Sequence, residues 1–493
     1  MNAPQKRPQN RPQNRAHDLL LRCATIITID PDRRVIEGGW IAVDGDRITA
    51  IGTASDTPPP AHRIIAKPGL IALPGLIDAH SHAGHGLVRA AGDGDGDLWF
   101  QVCADIYARA ATPDFWWAEQ RLAQLERLMG GVTTAVSLLG GGADVYRTDT
   151  SDAGDAHVAA TQDSGLRTIM AVGPGRLPFP RHFGPDQTPV SFAQHMQVCA
   201  DLIARHDDVI NRRTGVALIL PVYTDDHMAS HGPDIRAMSA AMRALQDRTG
   251  VLFTQDGHRE GSIALARDLG LLSPRAALGH SVDLTAADFD ALQQTGATII
   301  HNPSAIMSII GRCPVPELLE AGVTVCLGSD AGAPDRGFDM FRHMAQGMHY
   351  HRRHFRDPAV LPEGKVLELC TIDAARALGL EQQIGSLEVG KKADIILLDG
   401  RKPHLWPPVM ALNRITHFAS AADVDTVLVD GRVLMEGRVI PHLDQDAILD
   451  TAAQAADTVF AAAGHAQTRQ EGAELWRQAR RVAQPFRPSG SKN

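Results

Sequence analysis

From Leu19 the apolar residues come in short runs broken by turn signals, first "LLLRCATIITID" and then "WIAVDGDRITAIG" around an Asp-Gly pair. That is the pattern of strands joined by tight turns. The same texture returns late in the chain, in "KKADIILLDG" and "VDTVLVDGRVLMEG". The long middle differs: strand-like runs such as "RTIMAVGP", "GVALILPVY", "AALGHSVDL", "GATIIHNPS" and "VTVCLGSDAG" are separated by helical stretches. Such alternation predicts a parallel sheet, and about eight units of it predict a closed (β/α)8 barrel. The expected organisation is a disordered tail over 1–18 and a barrel over 74–384. Residues 19–73 and 385–443 would form a small composite β-sandwich from both chain ends, with a helical extension over 444–493.

Polar residues fall at telling places in this pattern. His80 and His82, His280, Asn302 and Asp330 each end an apolar run. The C-terminal ends of barrel strands converge on one face, so side chains far apart in sequence can share one site there. In "GLIDAHSHAGHG", residues two apart on a strand point to the same side, so His80 and His82 can offer two imidazoles to one cation. Imidazole suits zinc, iron and other first-row metals. Asp330, in "CLGSDAG", is either a further ligand or a helix N-cap, a common role for Asp after a strand.

Composition narrows the function classes. The chain is 44% hydrophobic and 21% charged, as in an ordinary soluble globular protein, and its net charge of -9 argues against a nucleic-acid binder. Six cysteines form no CxxC pair, which favours a reducing compartment. The tail "MNAPQKRPQNRPQNRAHD" has no apolar core, and no run is long enough to span a bilayer. A cytoplasmic protein acting on small molecules, with neither membrane nor nucleic-acid partner, is the expectation.

Several stretches together resemble the amidohydrolase superfamily, in the branch of cytosine and guanine deaminases and triazine hydrolases. They are "IALPGLIDAHSH", "GHSVDL", "HNPS", "CPVPELLEAGVTVCLGSD", "LELCTIDAARALGL" and "GSLEVGKKADIILLD". The resemblance implies a metal-dependent hydrolase in which His80, His82 and Asp330 are ligands and His280 contacts water or substrate. Asp330 would also move the proton as general base and then acid, and His280 would stabilise the oxyanion. Zinc is the first expectation for the metal, with iron or another first-row metal as the alternative, and a homo-oligomer is usual for such barrels. Many two-metal relatives bridge their ions through a carboxylated lysine on the fourth strand. No lysine occurs between Lys67 and Lys365, so one ion is expected.

The fifth strand departs from that branch. Relatives end it in His-x-x-Glu, a ligand followed by an acid that protonates a ring nitrogen, whereas "LFTQDGHRE" offers Gln255, Asp256 and His258. His258 is the only imidazole there and is expected to reach the metal or its water, with Asp256 as the next choice and Gln255 as a third candidate for the ligand position. Loss of the glutamate tilts the chemistry toward C–N hydrolysis at a carbonyl carbon, in an amide, urea or carbamate. Deamination or dechlorination of a purine, pyrimidine or triazine is the alternative, and a non-catalytic family member the third reading. Gln255, Asp256, Trp99, Asn302 and Met307 are expected to line the substrate pocket, Trp99 from a mouth loop and Met307 from the apolar loop "NPSAIMSIIG". "HYHRRHF" reads as an outer helix with His351 and His354 facing solvent or a neighbour.

Overall fold

The computed structural model describes residues 16–91, 96–141, 145–305, 307–332 and 336–470. Eight parallel strands follow one another around a barrel in chain order: Leu76–Ala83, Val132–Gly141, Arg167–Val172, Thr214–Ile219, Leu252–Gln255, Ala276–Gly279, Thr298–His301 and Val325–Leu327. Every residue in these strands is buried, because helices cover the outer face and side chains fill the inside. That is why they read as continuous apolar runs and not as alternations.

The first and eighth strands share no ladder. Two backbone bonds close the barrel instead, Asp330 N to His80 O and His82 N to Ala331 O, each 2.9 Å. Asp78 reinforces the seam by accepting from Ser329 N at 2.8 Å and Ser329 Oγ at 2.7 Å. The residues that close the barrel are thus the candidate ligands themselves and their immediate neighbours.

Strands from both chain ends form the second, β-rich body. His17–Ile27, Val35–Asp44, Arg47–Thr53, Ala61–Ala66 and Leu70–Pro74 join Ile395–Asp399, Val424–Val429 and Arg432–Met435 in one hydrogen-bonded sheet. The first of these starts at His17, so His17 and Asp18 belong to a strand and not to a tail. A separate apolar core, including Leu21, Ile26, Ile41, Ile395 and Leu428, packs within this body. Only Gly75 separates its strand Leu70–Pro74 from the first barrel strand. Arg167, the first residue of the third barrel strand, reaches down to Asp394 and Asp430. The β-rich body therefore sits at the N-terminal end of the barrel, away from the mouth. The helix Gln445–Ala462 packs against the barrel helix Pro113–Met129. Among the described residues no helix is long and apolar enough to cross a membrane.

Candidate metal centre

His80 and His82 project from the end of the first strand, both buried. His82 Nδ1 lies 2.8 Å from Gly140 O, so it carries the proton and turns the Nε2 lone pair into the barrel. Both ring nitrogens of His80 are buried without a hydrogen-bond partner. His280 and Asp330 follow the sixth and eighth strands with φ of +64° and +53°, a left-handed conformation that non-glycine residues rarely adopt. This backbone strain is held where the two side chains must turn inward.

Two carboxylates face the imidazoles. Asp330 Oδ1 is 3.0 Å from His82 Nε2 and 3.5 Å from His80 Nε2. Asp256 lies 3.4 Å from each of those nitrogens and 2.9 Å from His280 Nε2. Ligand atoms of His80, His82 and Asp256, and likewise of His80, His280 and Asp330, all fall within 4.8 Å of one another. Burial opposes ionisation of Asp256, but His80 and His280 outweigh it and hold the carboxyl well below the usual range. The same holds for Asp330, where Arg336 and His280 overcome the cost of burial. Burial also disfavours charge on His80, yet Asp256 and Asp330 push it up to about 10. The cluster thus carries fixed negative charge that draws in positive charge.

The fifth-strand loop brings Asp256, not His258, to this cluster. The strand ends at Gln255, and Gly257 at φ +93° turns the chain sharply after Asp256. His258 then folds back beneath the mouth, its N bonded to Gly279 O and its O to Val282 N. Ser262 Oγ donates to Arg259 O at 2.6 Å, so it accepts from His258 Nδ1 at 2.9 Å. Burial lowers His258 to about 3, which keeps it neutral. Asp288 fixes the same loop by accepting from Gly261 N, Ile263 N and Ala264 N at 2.8–3.0 Å.

The other expected pocket residues divide. Gln255 is buried and donates through Nε2 to Pro221 O at 3.0 Å. Asn302 is buried beside His80, with both amide atoms unpartnered. Trp99 lies on the helix Gly96–Asp105 and not in a mouth loop: it is 3% exposed and its Nε1 donates to Val88 O. Ile306 and the side chain of Met307 lie outside the described residues, while the neighbouring Ile309 and Ile310 are exposed. His351 faces inward and is buried, 3.4 Å from His301. Two residues were missed in the sequence. Arg336 is buried with Nη1 3.5 Å from Asp330 Oδ2, and His85 stacks on His82. Neither belongs to a periodic pattern, and only the third histidine of "HSHAGH" gave a visible signal.

Comparison with known proteins bears on this centre. A model described as the amidohydrolase family matches residues 71–434. The chain is 30% identical over 452 residues to a 5-methylthioadenosine/S-adenosylhomocysteine deaminase of Syntrophobacter fumaroxidans, covering 90% of this chain and 98% of that protein. It is 28% identical to a 5'-deoxyadenosine deaminase of Methanosarcina acetivorans, covering 90% and 99%. Among solved structures, an adenosine deaminase from Xanthomonas campestris with bound zinc superposes with a TM-score of 0.77 at 24% identity, covering 90% and 99%. An atrazine chlorohydrolase from Arthrobacter aurescens complexed with zinc gives 0.71 at 22% identity, covering 89% and 100%.

Proposed function

Because this chain belongs to the amidohydrolase family, whose members are metal-dependent and act on carbon–nitrogen bonds other than peptide bonds, we propose that it hydrolyses an amide, urea or carbamate. The donor set suits a divalent first-row cation, with zinc the first choice: imidazole nitrogens, including the unpartnered His80 Nε2, and ionised carboxylates meet in one buried place. His80, His82 and Asp330 would hold one such ion, and Asp256 takes the ligand role first expected of His258. A cation bound there supplies Lewis acidity that brings the ionisation of water toward neutral pH.

The chain's own groups do the rest. Asp330 takes the proton of the attacking water as its oxygen bonds to the carbonyl carbon, then passes that proton to the nitrogen as the C–N bond breaks. His280, whose Nε2 faces Asp256 at 2.9 Å, would turn that N–H to the oxygen that gains charge on that carbon. Arg336 keeps Asp330 ionised between turnovers.

One observation carries the choice of a carbonyl substrate: the fifth-strand loop offers no free acid for a ring nitrogen. Asp256 is drawn to three imidazoles, His258 is buried with Nδ1 bound to Ser262, and Glu260 is exposed. The second reading, release of ammonia from a heterocyclic amine, is favoured by the deaminase names of relatives matched along nearly their whole length. A panel of amides, ureas and carbamates beside 5'-deoxyadenosine, 5-methylthioadenosine and a chlorotriazine separates the readings. Amine release from the carbonyl compounds supports the first; ammonia from the nucleosides with no carbonyl turnover overturns it, and chloride release marks dechlorination.

We also propose a cytoplasmic homo-oligomer. All six cysteines are buried free thiols, and Trp406, Val409, Met410 and Phe418 expose apolar surface on one connecting segment. Light scattering of the purified protein tests the oligomer, and a monomer at micromolar concentration would refute it.

A further inference from the structure

The chain leaves the first strand through Gly84, His85 and Gly86 and doubles back over the centre it has just built. Gly84 takes φ +91°, and a Cβ there would lie 2.8 Å from the Tyr107 ring, so only glycine turns the chain at this point. Gly86 N donates to the buried Glu119 Oε1 at 3.0 Å, which pins the far side of the turn. Between them His85 is 1% exposed. Its ring lies parallel to that of His82, with centroids 4.3 Å apart and planes 12° from parallel. Tyr107 Oη is 2.6 Å from His85 Nδ1, and Trp99 meets the same ring edge-on at 4.8 Å. Both aromatics are buried.

We infer that His85 is a positioning residue for the metal centre, acting through His82. Gly140 O fixes the His82 ring in its own plane by holding Nδ1, but a hydrogen bond leaves the ring free to tilt about it. The His85 ring covers one face and removes that freedom, and Tyr107 and Trp99 hold His85 in turn. The Nε2 lone pair of His82 is then aimed before any ion arrives. Groups behind a ligand set its orientation, and their loss costs metal affinity while the ligand itself remains.

The inference rests on His82 being a ligand, and cobalt tests both. Metal-free protein is titrated with Co(II) against a chelator, and its visible absorption is recorded. His85→Ala is expected to weaken cobalt binding about 10- to 100-fold; removing a buried ring also lowers the thermal midpoint of the metal-free form, which the next variant controls for. His85→Phe, which keeps a flat ring against His82, should recover most of that loss. Tyr107→Phe, which removes one hydrogen bond, should shift the cobalt absorption bands with a smaller loss of affinity. Unchanged affinity in His85→Ala overturns the role of His85. If that variant does not fold, unchanged bands in Tyr107→Phe overturn it instead. Wild-type protein that takes up no cobalt overturns the metal reading itself.

Discussion

The barrel holds buried charge at both ends, and the two clusters are finished differently. At the base Arg167 is fully buried between Asp394 and Asp430, with Nη2 2.7 Å from Asp430 and Nη1 paired to Asp394. Lys392 lies 3.0 Å from Asp430, whose backbone N donates to Asp394 at 2.9 Å. Each charge there meets its complement inside the protein. At the mouth, His80 keeps two unpartnered nitrogens while two carboxylates face three imidazoles at 2.9–3.9 Å. A closed network ties the two bodies together; the open one leaves ligand-type atoms facing one another unsatisfied.

That contrast can be broken from either end. The largest effect belongs to the mouth: Asp330→Asn should lower turnover by about 10²–10⁴-fold, as loss of a general base does, with the fold intact by circular dichroism. Full activity in that variant would remove Asp330 from the chemistry. At the base, Arg167→Ala leaves two buried carboxylates without their partner and should cost about 3–5 kcal/mol in urea denaturation. Its metal content at low temperature should match the wild type, since no base residue touches the ion site.

A finer test lies within the mouth. Asp256→Asn should reduce metal content in elemental analysis, whereas His258→Ala should retain it. The reverse result would restore His258 as the ligand. The smallest effect concerns His157, buried with both nitrogens unpartnered and lowered to about 3 by burial and then by the Arg127 charge. Between its usual 6.5 and about 3 the unfolded chain binds a proton that the folded chain does not. Stability is therefore lost as pH falls through that window. His157→Leu should flatten the acid slope of the unfolding free energy by up to about 1.4 kcal/mol per pH unit, read by urea denaturation between pH 7 and 5.

Much of this architecture is legible in the sequence, for a physical reason. Strands buried on both faces are predominantly apolar, so the barrel announces itself in runs such as "GVALILPVY". A polar residue at the end of such a run has one place to go, which is why His80, His82, His280 and Asp330 could be grouped before any coordinates. The fifth-strand loop lacks that logic. Whether Asp256 or His258 meets the centre depends on one glycine's φ and on a serine four residues past His258, neither of which leaves a periodic trace. Trp99 and His351 were misplaced for a related reason: one sits in a loop-like acidic stretch and the other in a charged helix, yet each turns its ring into the core.

The seam between the first and eighth strands has a thermodynamic consequence. His80 and Asp330 are bonded backbone to backbone across it, and their side chains reach the same candidate ion. Whatever holds those side chains together also tightens the barrel seam, so cation binding and barrel stability are linked. At a free ion concentration roughly 1,000 times Kd, such linkage adds about 4 kcal/mol to stability. The ion would thus brace a barrel that its own backbone bonds already close, serving the fold as well as the reaction.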